Sequence, residues 1–445
     1  MFVGREKEIK FLEHYYEDAG NRILVVYGMS GVGKNTLLKE FSNQKQFSYY
    51  LSRACSDEEQ RIQWAKEITL LSWEDAYAPS YKDLFSATLK SLSSEEESKK
   101  KILIIDEFHN LIKADSDFMP QLVNFVNETT EPCMVILCSS QSGWVENSMI
   151  PKIGALATYL SGLLKVRELK FSEICQLYPM YSIEEQILLF SLLGGNPGLW
   201  NMLSLKQSAK ENLTQVLLNP NSRLFAKMSG TVDELLREPA VYNTILANMA
   251  GADCKLNELY ERTGFSRAKI SVYLKNLMEL ELVEKVFSYE TDGYANTRKG
   301  VYRISNPLMR FYFRFVFPSL SRLRFISGRK FYEEYIEDEI NEFIEEAYCR
   351  ICREIMTGQL NILGEWIGKS GRIDIVAQGS EQELVVAKCS YGKSMQTEDY
   401  RKFKEQLQQA KIEPAVIYLF SEQGFSRVLE EEVEENVKLI RLISG

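Results

Sequence analysis

The sequence is poor in several features that mark other classes of protein. Its 445 residues include only two histidines, His14 and His109, and neither shows a pairing with an acid or a nucleophile. We therefore expect both to flank helices rather than to catalyse a reaction. No apolar run approaches the roughly 20 residues that a membrane-spanning helix needs, and the N-terminal stretch MFVGREKEIK lacks the hydrophobic core of a signal peptide. These absences predict a cytoplasmic protein that does not bind membranes.

Cysteine is present but scattered. The eight cysteines show no disulfide framework, and in a reducing compartment they are expected to remain thiols. Cys349 and Cys352 form a C-x-x-C within a helical pattern, with no second pair of ligands nearby in the sequence. Because zinc sites usually have four ligands, we do not expect a structural metal there.

The composition is that of a globular protein with several domains. Hydrophobic residues make up 45% and charged residues 26%, and the length allows two to four domains of roughly 100–200 residues. The net charge of −9 argues against a general attraction to nucleic acids. In segment 298–330, however, every charged residue is basic. This segment either binds nucleic acid with its aromatic residues or pairs with the acidic stretch Glu333–Glu346 that follows it.

The first part of the sequence alternates buried strands with helices, as in a parallel sheet covered by helices. Strand patterns occur at 22–28, 47–52, 101–108 and 133–140, and helical patterns occur at 5–18 and 35–44.

The pattern changes near Leu235. Three short helical segments precede a β-ribbon that ends near residue 305, which is the order of a winged helix-turn-helix. The stretch FYFRFVF at 311–317 alternates as buried core residues do. After Pro318, long helices precede a hairpin whose turn is predicted at Gly379 and Ser380.

The segment VVYGMSGVGKNTLLKEF (25–41) carries the strongest chemical signal. It matches the phosphate-binding loop G-x-x-x-x-G-K-[ST], in which backbone N–H groups and a helix N-terminus surround the phosphates and the lysine meets the terminal ones. Asn35 stands where a Ser or Thr would place its hydroxyl on magnesium. The positions predicted to bind the nucleotide here are Gly28, Gly31, Val32, Gly33, Lys34, Asn35 and Thr36.

A second strand, KILIIDEF at 101–108, ends in two carboxylates. Asp106 is predicted to hold magnesium together with Asn35, and Glu107 is predicted to polarise the attacking water, with Lys34 as the second catalytic residue. Ser139, Ser140 and Gln141 follow the next strand, where a polar group can sense the γ-phosphate. ATP or ADP and Mg²⁺ are the predicted cofactors.

With these motifs the chain resembles the archaeal-type P-loop ATPases of the STAND group, an AAA-like family that carries a winged helix and a C-terminal restriction-endonuclease-like domain. The matching stretches are FVGREKEIKFL, GMSGVGK, ILIIDEF, GGNPG at 194–198 and YRISNPLMRFYFRFVFP at 302–318. The resemblance implies that Gly4, Arg5 and Pro197 approach the adenine.

The resemblance also implies a fold class and a division into domains. The expected fold is α/β, with a P-loop NTPase parallel sheet, a helical lid, a winged helix-turn-helix and a C-terminal α/β nuclease-like domain. The expected domains are the ATPase core at 1–182, the lid at 183–234, the winged helix-turn-helix at 235–318 and the nuclease-like domain at 319–445.

Two departures from the family bear on activity. The arginine that the family commonly has ahead of the strand reading VRELKF is missing, and Gly162 lies near its position, so hydrolysis is expected to be slow or to wait for a partner's arginine. In the C-terminal domain, Asp374 matches the family's aspartate and Glu345 could be the helical carboxylate. Lys388 and Ser390 replace the Glu-x-Lys pair. A cation at a metal position repels the metal, so this domain is predicted not to cleave DNA.

The sequence therefore predicts a nucleotide-dependent switch with a degenerate nuclease-like domain used for binding. The alternatives are an ATP-licensed nuclease and a regulator that reads DNA through Arg267, Lys269 and Lys275 on its third helix. The predicted partners are a nucleotide, DNA at the winged helix and at segment 298–330, and a protein partner or a second copy of the chain.

Overall fold

The computed structural model describes residues 2–69, 79–92, 99–114, 117–291, 300–368 and 371–442. The chain divides into two compact units. The first comprises Met1–Leu169 with Asn196–Gly198, and the second comprises Lys170–Gly195 with Leu199–Gly445. Among the described residues, no helix is both long enough and apolar enough to cross a membrane.

The first unit is built around a five-stranded parallel sheet. Its elements in chain order are α1 (Glu6–Glu17), β1 (Arg22–Tyr27), α2 (Lys34–Phe41), β2 (Phe47–Leu51), α3 (Asp57–Thr69), α4 (Tyr81–Ser91), β3 (Lys101–Asp106), α5 (His109–Ala114), α6 (Phe118–Glu128), β4 (Cys133–Ser139), α7 (Ser142–Trp144), α8 (Ile150–Ile153) and β5 (Gly162–Lys165). The strand order is β2-β3-β4-β1-β5.

The centre of this sheet is covered on both faces. Strands β1, β3 and β4 read as nearly continuous runs of Val, Ile, Leu and Cys, and almost every residue in them is buried, as expected for strands with helices on both sides. The four strands predicted from the sequence are confirmed as β1 to β4. The predicted strand VRELKF at 166–171 was wrong: the edge strand β5 lies just before it at Gly162–Lys165, and Phe171 already begins a helix. The carboxyl ends of β1, β3 and β4 lie at one edge, where α/β sheets bind their ligands.

The second unit contains a helical part, a two-stranded ribbon and a five-stranded mixed sheet. Its elements are α9 (Phe171–Leu177), α10 (Ile183–Leu193), α11 (Pro197–Trp200, beginning in the first unit), α12 (Ala209–Asn212), α13 (Arg223–Leu235), α14 (Pro239–Met249), α15 (Leu256–Thr263), α16 (Arg267–Glu279), β6 (Val283–Val286), β7 (Val301–Ile304), α17 (Pro307–Phe311), α18 (Leu320–Leu323), α19 (Gly328–Tyr335), α20 (Ile340–Thr357), β8 (Asn361–Gly368), β9 (Gly371–Gln378), β10 (Leu384–Ser390), α21 (Thr397–Ala410), β11 (Val416–Ser421), α22 (Arg427–Glu432) and β12 (Val437–Ile440).

The three predicted helices and the ribbon are present as α14 to α16 and β6/β7. Gly264 ends α15 in the left-handed region with φ 70°, and the hydroxyl of Ser266 accepts a hydrogen bond from the Lys269 N–H at the start of α16. Helix α16 ends at Glu279, earlier than the pattern suggests, because Glu281 takes a positive φ of 56° before β6. The ribbon's turn at 292–299 lies outside the described residues.

The C-terminal sheet has the order β12-β11-β10-β9-β8. Strands β8, β9 and β10 are antiparallel, and β10, β11 and β12 are parallel. The predicted hairpin is confirmed as β9/β10, where the Gly379 N–H donates to the Glu383 carbonyl across the turn. Helix α20 packs on this sheet. Four of the five aromatic side chains at 311–317 are buried and Phe317 is half-buried, which confirms the assignment of this stretch to the core.

Arg298 and Lys299 of the basic segment 298–330 lie outside the described residues, and six of its described cations pair with carboxylates of their own unit. The ion pairs are Arg303 with Asp253 and Glu365, Arg310 with Glu346, Arg314 with Glu339 and Glu342, Arg322 with Glu334, Arg329 with Glu333, and Lys330 with Glu334. Of the two roles that the sequence left open, this pairing favours the internal one.

Candidate nucleotide-binding site

The loop between β1 and α2 has the backbone geometry that its glycines predict. Gly33 lies in the left-handed region with φ 98° and precedes Lys34, the first residue of α2. The Gly28 N–H donates to the Ser139 carbonyl at 3.2 Å, and a Cβ at Gly28 would lie 2.2 Å from the Val166 carbonyl oxygen. Any larger residue at position 28 would therefore push β5 and the loop apart.

Lys34 is buried inside this loop. Its ammonium donates to the carbonyl oxygens of Gly28 at 2.7 Å and Met29 at 3.2 Å. Burial lowers the pKa of Lys34, and the charges of Glu107 and Asp106 oppose that shift. Two of its three donors are used by carbonyl oxygens. The side chain is thus held at the mouth of the loop, where it could meet a phosphate.

The GGNPG stretch packs on the same loop. The Asn196 amide donates to the Ser30 carbonyl at 2.9 Å, and the Gly198 N–H donates to the Gly31 carbonyl at 2.9 Å. Gly31 has φ 87°, and a Cβ there would lie 2.5 Å from Asn196 Oδ1. The structure therefore places Pro197 beside the phosphate loop, and its contact with the adenine stays a prediction.

Arg5 braces the loop from the N-terminal side. Its guanidinium is buried and donates to the carbonyl oxygens of Val32 and Arg167, both at 2.8 Å, and it pairs with Glu8 at 3.1 Å. Gly4 precedes it with φ 71°. These contacts hold the loop in position, and the approach of Gly4 and Arg5 to the adenine is untested. Thr36 is exposed on the first turn of α2.

Asp106 and Asn35 meet at the hydroxyl of Tyr49. The Tyr49 hydroxyl donates to Asp106 Oδ2 at 2.6 Å, and the Asn35 amide nitrogen lies 3.5 Å from the same hydroxyl. Burial and this hydrogen bond raise the pKa of Tyr49. The sequence analysis missed Tyr49, which lies on β2 opposite Ile104 of β3. The sequence feature that could have revealed Tyr49 is the alternating pattern of FSYYLS. That strand lies next to the strand that carries Asp106.

Asn35 and Asp106 supply ligand types that suit a magnesium ion. Mg²⁺ prefers oxygen ligands and usually keeps several waters, and an amide oxygen and a carboxylate meet that requirement. Both side chains contact one hydroxyl, so an ion between them has to displace the Tyr49 hydroxyl or share Asp106 with it. The residues therefore fit magnesium once Tyr49 gives way.

Glu107 is held by the neighbouring strand. Its Oε2 accepts hydrogen bonds from the Ser140 N–H and hydroxyl, both at 2.9 Å, and its backbone φ is 52°. These contacts arise because β4 lies between β1 and β3. Ser140, which the sequence assigned to phosphate sensing, thus contacts the predicted catalytic carboxylate in this structure.

His109 also lies in this group. It is the first residue of α5, as expected of a helix-flanking residue, but it does have an acidic neighbour, because Nδ1 lies 3.2 Å from Glu107. The expectation that His109 has no acidic partner was therefore wrong. Nδ1 also lies 3.0 Å from the Ser139 hydroxyl, and burial lowers the pKa of His109 to about 4. The imidazole is therefore neutral near pH 7.

A second polar cluster lies in the C-terminal sheet. The Lys388 ammonium is 3.1 Å from Asp374 Oδ2, and the Cys389 N–H donates to the same oxygen at 3.0 Å. Glu345 of α20 faces both groups; burial raises its pKa and the charge of Lys388 opposes that shift. The structure thus brings together three of the four residues predicted from the nuclease resemblance. The fourth, Ser390, is buried at the end of β10.

Comparisons with known proteins agree with this geometry. Residues 2–203 match an ATPase domain family found predominantly in Archaea, and residues 312–403 match a family of archaeal and bacterial proteins of unknown function. The uncharacterized protein MJECL04 of Methanocaldococcus jannaschii is 26% identical over 429 residues, covering 92% of this chain and 91% of that protein. The uncharacterized ATP-binding protein MJ0423 of the same organism is 38% identical over 45 residues, covering 10% and 76%.

A solved structure shows the same fold. The Walker-type ATPase PABY2304 of Pyrococcus abyssi matches with a TM-score of 0.51 at 17% sequence identity, covering 70% of this chain and 96% of that chain. The parallel sheet and the phosphate loop give the first unit the fold of a P-loop ATPase, and residues 2–203 are similar to the predominantly archaeal ATPase domain family. Residues 312–403 are similar to a second family, whose function is unknown.

Proposed function

We propose that this protein binds ATP and ADP and acts as a nucleotide-dependent switch, with hydrolysis that is slow or depends on a partner. One observation carries the proposal. The phosphate loop keeps its glycines and Lys34 but has Asn35 in place of the motif hydroxyl, while the predicted water-activating carboxylate of Glu107 is engaged by two hydrogen bonds from Ser140.

Binding rests on the backbone and on Lys34. The loop's N–H groups and the N-terminus of α2 form an anion site, and the Gly31–Gly198 and Val32–Arg5 contacts hold that loop in one conformation. A preorganised loop loses little conformational entropy when the phosphates arrive. The absence of the motif hydroxyl at Asn35 therefore weakens binding little.

Hydrolysis needs more rearrangement than binding does. A bound magnesium ion would neutralise charge on the β- and γ-phosphates, and Asn35 and Asp106 would hold it. Glu107 has to leave Ser140 before it can orient a water, and Asp106 has to be released by Tyr49. With Gly162 at the position of the family's arginine, the charge that builds up on the γ-phosphate also requires an arginine from a partner. Each requirement supports slow turnover by the isolated chain.

Calorimetry with ATP and ADP tests the proposal. Lys34→Ala should weaken ATP binding at least tenfold, about 1.4 kcal/mol, because it removes the buried charge aimed at the phosphates. Lys39→Ala, an exposed lysine on the same helix, is the matched control and should bind as the wild type does. Equal binding by the wild type and Lys34→Ala would show that the loop is not the site.

The rate of ATP hydrolysis is the second measurement that tests the proposal. The wild type should hydrolyse ATP well below the ~1 per second of ordinary enzymes and should retain ADP through purification. Turnover at the ordinary rate without a partner would contradict the switch.

The C-terminal domain is proposed to be nuclease-like and inactive. Its support is the pairing of Lys388 with Asp374, which places an ammonium where a catalytic metal would need a second carboxylate. We infer that the domain serves binding rather than cleavage.

DNA binding by α14 to α16 and the ribbon is a second candidate function. The exposure of a lysine on α16 favours it. Lys275 is largely exposed, while Arg267 stacks on Tyr260 with its guanidinium carbon 4.0 Å from the ring centroid. If this face reads DNA, affinity for a duplex should fall steeply between low and moderate salt. Lys275→Ala should reduce that salt dependence, and affinity independent of salt would exclude this function.

A further inference from the structure

Three cysteines and an aspartate converge between α20 and the C-terminal sheet. The donor atoms of Cys349, Asp374 and Cys389 all lie within 4.8 Å of one another, and the three residues are buried. Cys352 lies three residues after Cys349 on α20 and is also buried. Two of these residues come from one helix and two from neighbouring strands, so the fold itself assembles the group.

The sequence alone does not show that these residues are neighbours. The C-x-x-C of α20 was not expected to bind a metal, since no second pair of ligands was visible. Positions 349 and 352 lie on one face of the helix, and that face meets β9 and β10, which supply Asp374 and Cys389. Asp374 and Cys389 are distant from α20 in the sequence but adjacent to it in the fold.

A carboxylate oxygen of Asp374 lies close to the sulfur atoms of Cys349 and Cys389, and two further contacts hold this side chain. Its Oδ2 accepts from the Cys389 N–H at 3.0 Å and pairs with Lys388 at 3.1 Å. Within the described part of the chain, these contacts involve one carboxylate oxygen, which leaves Oδ1 for a further ligand. Metal-binding carboxylates are commonly held by such outer contacts.

We propose that Cys349, Cys352, Cys389 and Asp374 bind one zinc ion. Zinc takes four ligands in a tetrahedron with Zn–S bonds of about 2.3 Å, which places neighbouring sulfur atoms about 3.8 Å apart. The donor atoms of Cys349, Asp374 and Cys389 lie within 4.8 Å of one another and need to move by less than about 1 Å to reach that geometry. The Cys352 thiol, on the same face of α20 as Cys349, has to turn toward them to complete the set. Thiolates are soft ligands that favour zinc and disfavour magnesium.

The surroundings supply part of the charge that such a site needs. A zinc ion with three thiolates and one carboxylate carries two net negative charges, and a buried charge must be compensated. The Lys388 ammonium contacts Asp374 directly, whereas the nearby Arg372 guanidinium is paired with Glu365. Lys388 therefore offsets one of the two excess negative charges. In this arrangement Lys388 balances part of the charge of a thiolate site instead of opposing a magnesium site.

This inference is independent of the proposed nucleotide switch, because none of its residues lies in the first unit. The test uses the full-length protein purified under reducing conditions from zinc-supplemented cells. Elemental analysis should find one zinc per chain after desalting. Replacement by cobalt should give the near-ultraviolet charge-transfer band of cobalt–thiolate bonds together with the visible bands of a tetrahedral ion.

Variants identify the ligands. Cys352→Ala and Cys389→Ala should each lower the zinc content at least tenfold. Cys133→Ala is the matched control, because Cys133 is equally buried but lies on β4 of the first unit, and it should keep the full zinc content. The cobalt titration of the wild type keeps the proposal testable even if a variant fails to fold.

Three results would overturn the proposal. The first is a wild type that holds no zinc and shows no cobalt–thiolate band. The second is unchanged zinc content in a folded Cys389→Ala variant. The third is a disulfide between two of these cysteines in the reduced preparation, which would assign the cluster to redox chemistry.

Discussion

Each unit of the molecule brings a lysine close to a pair of carboxylates, but the two units arrange these charges differently. In the ATPase domain, Lys34 contacts carbonyl oxygens of its own loop, while Asp106 contacts Tyr49 and Glu107 contacts Ser140. In the C-terminal domain, Lys388 pairs directly with Asp374. Charges held apart by neutral partners leave room for an anion and a cation between them. Charges that pair directly stabilise the fold and neutralise each other.

The largest predicted effect is a loss of stability in the C-terminal domain, where the lysine and the carboxylate are paired. Asp374→Ala removes the partner of Lys388 and the acceptor of the Cys389 N–H, and breaking a buried pair from one side costs about 3–5 kcal/mol. The Lys388 side chain is 30% exposed, so water partly replaces the lost partner. We expect a loss near the lower end, about 3 kcal/mol, measured by hydrogen exchange of the peptides that span β9 and β10.

The matching change in the ATPase domain serves as the control. Lys34→Ala should alter the exchange of peptides spanning β1 and α2 by less than about 1 kcal/mol, because the ammonium pairs with no carboxylate there. If the two variants lose equal stability, the contrast between paired and separated charges is wrong.

The next largest effect is on magnesium-dependent ATP turnover. Asn35→Thr restores the hydroxyl at the motif position and should raise magnesium-dependent turnover about tenfold, equivalent to about 1.4 kcal/mol of transition-state stabilisation. ADP affinity in EDTA should stay unchanged, since the backbone and Lys34 carry binding. Asn43→Thr, an exposed asparagine beyond the same helix, is the control. No gain in turnover would mean that Asn35 already serves as a competent ligand.

A smaller effect is expected at Tyr49. Tyr49→Phe removes the hydrogen bond to Asp106 that a magnesium ion has to displace, and such a bond contributes about 1 kcal/mol. Magnesium should alter ATP affinity at lower concentration in this variant. The concentration that gives half of the full effect should fall about fivefold. Tyr50→Phe is the comparison, because that hydroxyl donates to Gln60 instead. A higher magnesium requirement in Tyr49→Phe would make the hydroxyl part of the ion's site.

The sequence predicted the parts of these sites that lie within one short stretch of chain. The loop from Gly28 to Lys34 and the strand ending at Asp106 are contiguous, and their residue types follow from backbone geometry and burial. The contacts of Tyr49 and Ser140 depend on which strands are neighbours, and the strand order is not encoded in a local pattern.

The same reason explains the cysteine cluster. The spacing of Cys349 and Cys352 shows one face of a helix, and no local pattern reveals that this face meets Asp374 and Cys389.

For Arg5, the approach to the adenine that the resemblance implies stays a prediction. Its described contacts are the carbonyl oxygens of Val32 and Arg167 and the carboxylate of Glu8, and Arg167 is too distant in sequence for a local pattern to reveal that contact.

The smallest expected effect is on DNA cleavage. Lys388 stands where a nuclease would have its second metal-binding carboxylate, and its ammonium raises the cost of placing magnesium or manganese between positions 388 and 374. Glu345 is the remaining carboxylate in this group, and burial raises its pKa, which further weakens it as a ligand for a hard cation. Duplex, single-stranded and supercoiled DNA should therefore stay intact with magnesium or manganese, with or without ATP, at the level of a protein-free control. Metal-dependent cutting that disappears in Asp374→Ala but persists in Glu381→Ala, a change at the exposed turn of the same hairpin, would show that another carboxylate has replaced the missing ligand and that the paired lysine can be displaced from the metal position.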